Sequence, residues 1–250
     1  MFNKRISLLH FVALAAAAST NTNLQTSFPK SSGTTALAAA KTLAASATFD
    51  GGMYQWDRNP STCNEQAEGG DSDAVFVLQD GAVLSNVIIG PNNGEGVHCL
   101  GTCTLNNVWW TNVCEDAATF KGTSTSGVSY VNGGGARGAD DKVLQHNGAG
   151  TVAVKNFWAQ DIGKLYRSCG NCDSQHARHS TFTNIMVSGA DVVAGVNGNY
   201  GDTTYIHDSC VKDSSLCWAF KGNANGDEPT KTASGPTGTA CTTASIKTSC

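Results

Sequence analysis

An all-β, right-handed parallel β-helix in a single domain is the fold this sequence predicts, and three observations predict it. Apolar residues fall in short clusters separated by Gly, Asn, Asp or Ser, without the three-to-four spacing of an amphipathic helix. Five clusters resemble one another: Leu84-Ser-Asn86, Leu105-Asn-Asn107, Val128-Ser-Tyr130, Val154-Lys-Asn156 and Phe182-Thr-Asn184, with third positions 21, 23, 26 and 28 residues apart. Asn fills that third position in four of them, as a turn between stacked coils requires, because its amide both donates and accepts. A strand-bearing unit of this length buries its face only by stacking on the next unit, and right-handedness follows from the rule for parallel crossovers. An antiparallel sandwich with Asn in its turns is the alternative reading of the same pattern.

The chain divides in four. Residues 1–19 read as a secretory signal: Lys4 and Arg5 form the basic start, Ile6 to Ala18 the apolar run, and Ala15 to Ala18 the small residues before cleavage. The run is shorter than the roughly 20 residues a membrane helix needs, so a secreted, extracellular protein with no membrane partner is expected. Residues 20–46 are rich in Ser, Thr and Ala and read as a linker or pro-segment. The β-helix is expected over 47–222, followed by a polar tail, 223–250, that its cysteines tie down. All 10 cysteines follow the signal, and an even number in an oxidising compartment favours disulfides over metal thiolates, Cys169-Gly-Asn-Cys172 included. Spacing leaves the connectivity open, and a bond between Cys241 and Cys250 is one option.

Charge narrows the partners. Of 250 residues 40% are apolar and 14% charged, which fits a packed core and excludes a disordered chain. Without Lys4 and Arg5 the 16 basic residues fall to 14 against 20 acidic, near −6, which argues against nucleic acid. Yet the stretch from Lys121 to Arg167 is locally cationic, through Lys121, Arg137, Lys142, Lys155, Lys164 and Arg167. That reversal suits an anionic ligand, or else a solvated basic face.

Charged clusters recur in successive units: Glu95, then Glu115 and Asp116, then Asp140-Asp141-Lys142, then Lys164 and Arg167. Stacked at about 4.8 Å per strand, Glu95 and the Glu115–Asp116 pair share one site, and acids so close repel unless a cation joins them. Oxygen-only ligands suit Ca²⁺; surface ion pairs with Lys121 and Arg137 are the alternative. Adjacent Glu115 and Asp116 both ligate only at a turn or bulge. His98 and His146 sit in no nucleophile signature and are expected in packing roles. One of Trp109 and Trp110 is expected to face outward, where it can stack on a sugar.

The ordered set Glu95-Gly-Val-His-Cys99, Val108-Trp-Trp, Val113-Cys-Glu-Asp-Ala117, Gly133-Gly-Gly-Ala136, Asp141-Lys-Val143 and Gly163-Lys-Leu-Tyr-Arg-Ser-Cys-Gly-Asn-Cys172 closely resembles the pectate lyases of polysaccharide lyase family three, from about Phe49 to Lys221. The cysteine-rich form is similar to its fungal and oomycete branch. The resemblance implies a secreted, calcium-dependent enzyme that cuts polygalacturonate (demethylated pectin) by β-elimination; separately, a monomer is expected. It places calcium acids on Glu95, Glu115 and Asp116, and essential cations on Lys142, Lys164 and Arg167. Glu68 matches a further acid of the family, a proton donor or structural anchor. Lys121 and Arg137, with Glu68, are expected at the substrate. Among the three cations Lys142 is expected to be the base, because Lys164, Arg167 and calcium disfavour its charged form, although the roles permute. A catalytically inactive pectin-binding or elicitor protein is the alternative.

Overall fold

The computed structural model describes residues 20–250, so the predicted signal over 1–19 lies outside the described residues. The chain is a parallel β-solenoid of about eight turns. Its rows align coil on coil: Val83 to Ser85 beside Thr104 to Asn106, then Tyr130 to Asn132, then Ala153 to Lys155, Thr181 to Thr183, Tyr205 to His207 and Thr242 to Ala244. This is the leading face. A single residue then turns the chain onto the trailing face, and a third face closes each coil.

The turn column explains the repeat. Asn86, Asn107, Gly133, Asn156, Asn184, Asp208 and Ser245 all have positive φ, between 50° and 70°. Asn and Asp enter that left-handed region more readily than other residues with a β-carbon, and Gly enters it freely. The Asn107 amide donates to Asn86 Oδ1 at 2.9 Å and the Asn184 amide to Asn156 Oδ1 at 2.7 Å, as a stacked Asn ladder requires. The third unit differs from the sequence alignment: Leu105 pairs with Val131 and Asn106 with Asn132, so Gly133 occupies the turn and Tyr130 lies three residues earlier. The spacings become 21, 26, 23 and 28.

Residues 20–46, expected as a linker, carry the strands Thr34–Leu37 and Lys41–Leu43 of the first coil. The stretch before them straps the solenoid where the Asn ladder breaks. A β-carbon at Gly133 would lie 2.8 Å from Thr22 Cα, and Thr22 O accepts the Asn156 amide at 2.8 Å. The strap covers an aromatic column on the trailing face, with Phe28 edge-on to Trp109 at 5.2 Å and Trp109 beside Trp158 at 6.3 Å. Trp109 and Trp110 are 0% and 1% exposed, so neither stands free to stack on a sugar. The expected outward tryptophan does point out of the solenoid, but into this second apolar cluster.

The core is built from inward columns such as Phe76, Val97, Ala118, Leu144, Tyr166 and Ala194 on the third face. Side chains alternate across a strand, so their neighbours point outward as His98, Thr119, Gln145 and Arg167. Five disulfides join Cys63–Cys114, Cys99–Cys103, Cys169–Cys172, Cys210–Cys250 and Cys217–Cys241. Cys241 and Cys250 thus bond back to the solenoid and not to each other. The tail is a further coil: Cys241–Lys247 pairs in parallel with the strand Thr203–Lys212. Among the described residues no helix is long and apolar enough to cross a membrane.

Candidate active site

The site grows out of register. Asp116 pairs with Lys142 and Lys142 with Lys164 in successive coils, each three residues before the outward column of Thr119, Gln145 and Arg167. Glu95 holds the same offset before His98, so four charged side chains mount one edge of the third face. Glu115 lies in the bend just before the strand Asp116–Phe120, and the N–H groups of both acids donate to Gly94 O. That bend lets two adjacent acids turn toward one edge, where both face Lys142.

Glu68, Glu95 and Glu115 bring one carboxylate oxygen each within 4.8 Å of one another. Glu68, expected at the substrate, adjoins these acids and also lines the cleft of Lys142 and Lys164. Its loop is tied there by Cys63–Cys114 and by the Gln66 amide, which donates to Cys114 O at 2.5 Å. Buried Glu115 Oε2 and Asp116 Oδ1 receive no hydrogen bond. Burial pushes the Glu115 and Asp116 carboxyls upward, Asp116 well above the usual range. Such orphaned oxygens carry an unmet cost unless a cation meets them.

Lys142 Nζ lies 2.7 Å from Glu115 Oε1, 2.8 Å from Asp141 Oδ2, 3.6 Å from Asp116 Oδ1 and 3.9 Å from Glu68 Oε1. Asp141 also pairs with Lys164. Burial raises the Asp141 carboxyl, but its bonds to Lys142 and Lys164 outweigh that and hold it below its ordinary value. For Lys142 burial works to lower the ammonium, yet Asp116 and Glu115 outweigh it and push the group upward. The sequence points the other way when calcium is counted with Lys164 and Arg167; the acids Asp116, Glu115 and Asp141 around this lysine act in the raising direction.

Arg167 behaves differently. It is 7% exposed, and burial outweighs the pull of Asp202 and Glu228, lowering it to about 10. Nη1 donates to Asn197 Oδ1 at 3.1 Å and the guanidinium lies 3.9 Å over the Phe220 ring. Gly195 and Gly170 leave it room, since a β-carbon at either would meet Arg167 at 3.0 or 2.4 Å. Lys142, Lys164, Arg167 and Glu68 line one cleft, together with Phe220, Glu228 and Pro229.

Two residues expected at the substrate, Arg137 and Lys121, do not line this cleft. Arg137 is exposed on the strap side, where Nε donates to Thr111 O at 3.1 Å and the guanidinium sits over Phe28. Lys121 Nζ donates to Asp71 Oδ1 at 2.8 Å and lies 3.0 Å from His98 Nδ1. Sequence reasoning passed over Asp71 and Phe220, neither of which belongs to a recurring charged cluster. His98, expected in packing, is buried and bonds to Glu95.

This arrangement has relatives. A family model described as pectate lyase matches residues 25–227. The chain belongs to the pectate lyase family. It is 46% identical over 254 residues to the probable pectate lyase D of Emericella nidulans, covering 94% of this chain and 95% of that one. Pectate lyase E of the same organism is 49% identical over 209 residues, 83% of this chain and 81% of its own. Among solved structures, the catalytic domain of pectate lyase PelI from Erwinia chrysanthemi superposes with a TM-score of 0.66 at 30% identity, covering 86% of this chain and 98% of that one. PelI in complex with tetragalacturonic acid gives 0.65 at 31% identity, over 84% of this chain and 68% of that one. The match starting at residue 25 agrees with strands before residue 47. As a pectate lyase, the chain is a polysaccharide lyase.

Proposed function

We propose that this pectate lyase is secreted and calcium-dependent, and cleaves α-1,4-linked polygalacturonate by β-elimination. The observation that carries the proposal is the single edge on which Glu68, Glu95, Glu115 and Asp116 adjoin Lys142, Lys164 and Arg167. The acid set offers only oxygen donors, two of them orphaned, which suits Ca²⁺ over softer metals. Bound there, calcium supplies positive charge that offsets a uronate carboxylate and the charge developing beside it. The tetragalacturonic acid complex of PelI supports a polyuronate substrate. Five disulfides support an oxidising, extracellular destination.

The residues divide the work by their electrostatics. Lys142, held charged by Glu115 and Asp116, and Lys164 beside it orient the uronate carboxylate and neutralise it. The base must be neutral when it acts; at Arg167 burial outweighs the neighbouring acids and lowers the group to about 10, whereas at Lys142 the acids outweigh burial. Arg167 therefore takes the C5 proton. The C5–H electrons become the C4–C5 double bond, the C4–O bond breaks, and the departing oxygen takes a proton from water in the open cleft. This assignment differs from the sequence expectation of Lys142 as base, within the permutation of roles the three cations allow.

Mass spectrometry of the products tests the reaction class. Elimination leaves fragments whose masses sum to that of the starting oligogalacturonate, whereas hydrolysis adds one water per cut. Products carrying the added water would overturn the proposal, as would retained binding of the polymer with no cleavage at all.

A further inference from the structure

We propose that His98 is a positioning residue for the calcium site, fixing the Glu95 carboxylate through a chain that runs out to Asp71 and Lys121. The inference rests on the calcium reading above. His98 is 0% exposed and stands in the outward column of the third face, directly before Thr119. Its Nε2 is 2.9 Å from Glu95 Oε2, and its Nδ1 is 2.7 Å from Asp71 Oδ1 and 3.0 Å from Lys121 Nζ.

These partners settle which nitrogen faces the site. Nε2 meets a carboxylate oxygen, which only accepts, so it carries the hydrogen and donates to Glu95. Nδ1 has a choice: it accepts from the Lys121 ammonium when bare and donates to Asp71 when protonated. The Glu95 bond therefore persists in either form of the ring. On its other oxygen, Glu95 Oε1 accepts the Gly69 N–H at 2.7 Å. With one bond on each oxygen the plane of the carboxylate is fixed, and each oxygen retains a lone pair for a cation. Asp71 and Lys121, both partly exposed, are bonded to each other and hold the outer end of the imidazole. Outer-shell partners that orient a ligand commonly change metal affinity by about 10- to 100-fold when removed. This account moves Lys121 from the substrate to the support of the metal ligands.

Calorimetric titration of the full, chelator-stripped protein with calcium chloride tests the inference, with thermal unfolding in chelator as the check on folding. Gln places its amide nitrogen near the position of Nε2, and Asn places its own near Nδ1. His98→Asn is expected to weaken calcium binding by about 10- to 100-fold, and His98→Gln by much less, while turnover at saturating calcium stays within a few-fold. Asp71→Asn, at the exposed end, is expected to weaken binding a few-fold and provides the reading if His98→Asn does not fold. A folded His98→Asn that binds calcium like the parent overturns the inference alone, as does an unchanged Asp71→Asn where His98→Asn is lost. A parent protein that binds no calcium overturns the calcium reading and this inference with it.

Discussion

Arg167 and Lys142 differ in what surrounds them, and the pH dependence follows from that difference. Arg167 is lowered to about 10 by burial, so the neutral base grows as pH rises and activity climbs on the alkaline side. Lysine starts near ~10.4 and arginine above ~12, so Arg167→Lys should move this limb to lower pH in the profile of kcat/KM. Lys142→Met should instead cost substrate binding and turnover without moving the limb, since Lys142 is held charged by Glu115 and Asp116. A limb that moves with Lys142→Met and not with Arg167→Lys would return the base to Lys142. The charged residues themselves were legible in the sequence because they recur once per coil. Their protonation was not, because it depends on Glu115 and Asp141 lying within 3 Å of Lys142, which no spacing reveals.

At the scale of elements, the turn column and the strap carry the fold. Asn107 donates to Asn86 and accepts from Trp109 Nε1 at 2.7 Å, so Asn107→Ala leaves buried partners unsatisfied and should cost about 1–3 kcal/mol in denaturant unfolding. Phe28→Ala should destabilise by about 1–3 kcal/mol by opening the cluster over Trp109. Its KM for polygalacturonate should not change, because that cluster is on the strap side; a raised KM would return an aromatic to the substrate. The Asn ladder was readable wherever Asn is present. It was misaligned at the third coil because Gly133 carries no amide there, and the compensating group is Thr22, more than a hundred residues away in sequence. The strands within residues 20–46 were hidden for a related reason: a Ser/Thr/Ala-rich strand closes a solenoid coil as well as an apolar one when its partner strand supplies the core, as Phe76 to Leu78 do beneath Lys41 to Leu43.

Over the whole molecule, the disulfides place distant segments at the site and the end of the solenoid. Cys63–Cys114 closes 51 residues and brings the Glu68 loop onto the coil of Glu115. Replacing both cysteines by Ser should cost about 2–5 kcal/mol in thermal unfolding and weaken calcium binding, since Glu68 loses its tether. Cys210–Cys250 and Cys217–Cys241 fasten the last coil, which spacing alone left open. The fold, an all-β parallel solenoid, was legible because repetition shows in one dimension; the pairing of cysteines was not, because it depends on which coils adjoin in three. The central claim is that acids and cations brought to one edge by coil register perform a calcium-dependent elimination. The most direct measurement is the ultraviolet absorbance of the unsaturated product as the purified protein acts on polygalacturonate, with calcium and then with chelator. The account predicts absorbance that rises with calcium, stops with chelator and returns when calcium is restored; equal rates in both conditions, or no absorbance in either, would contradict it.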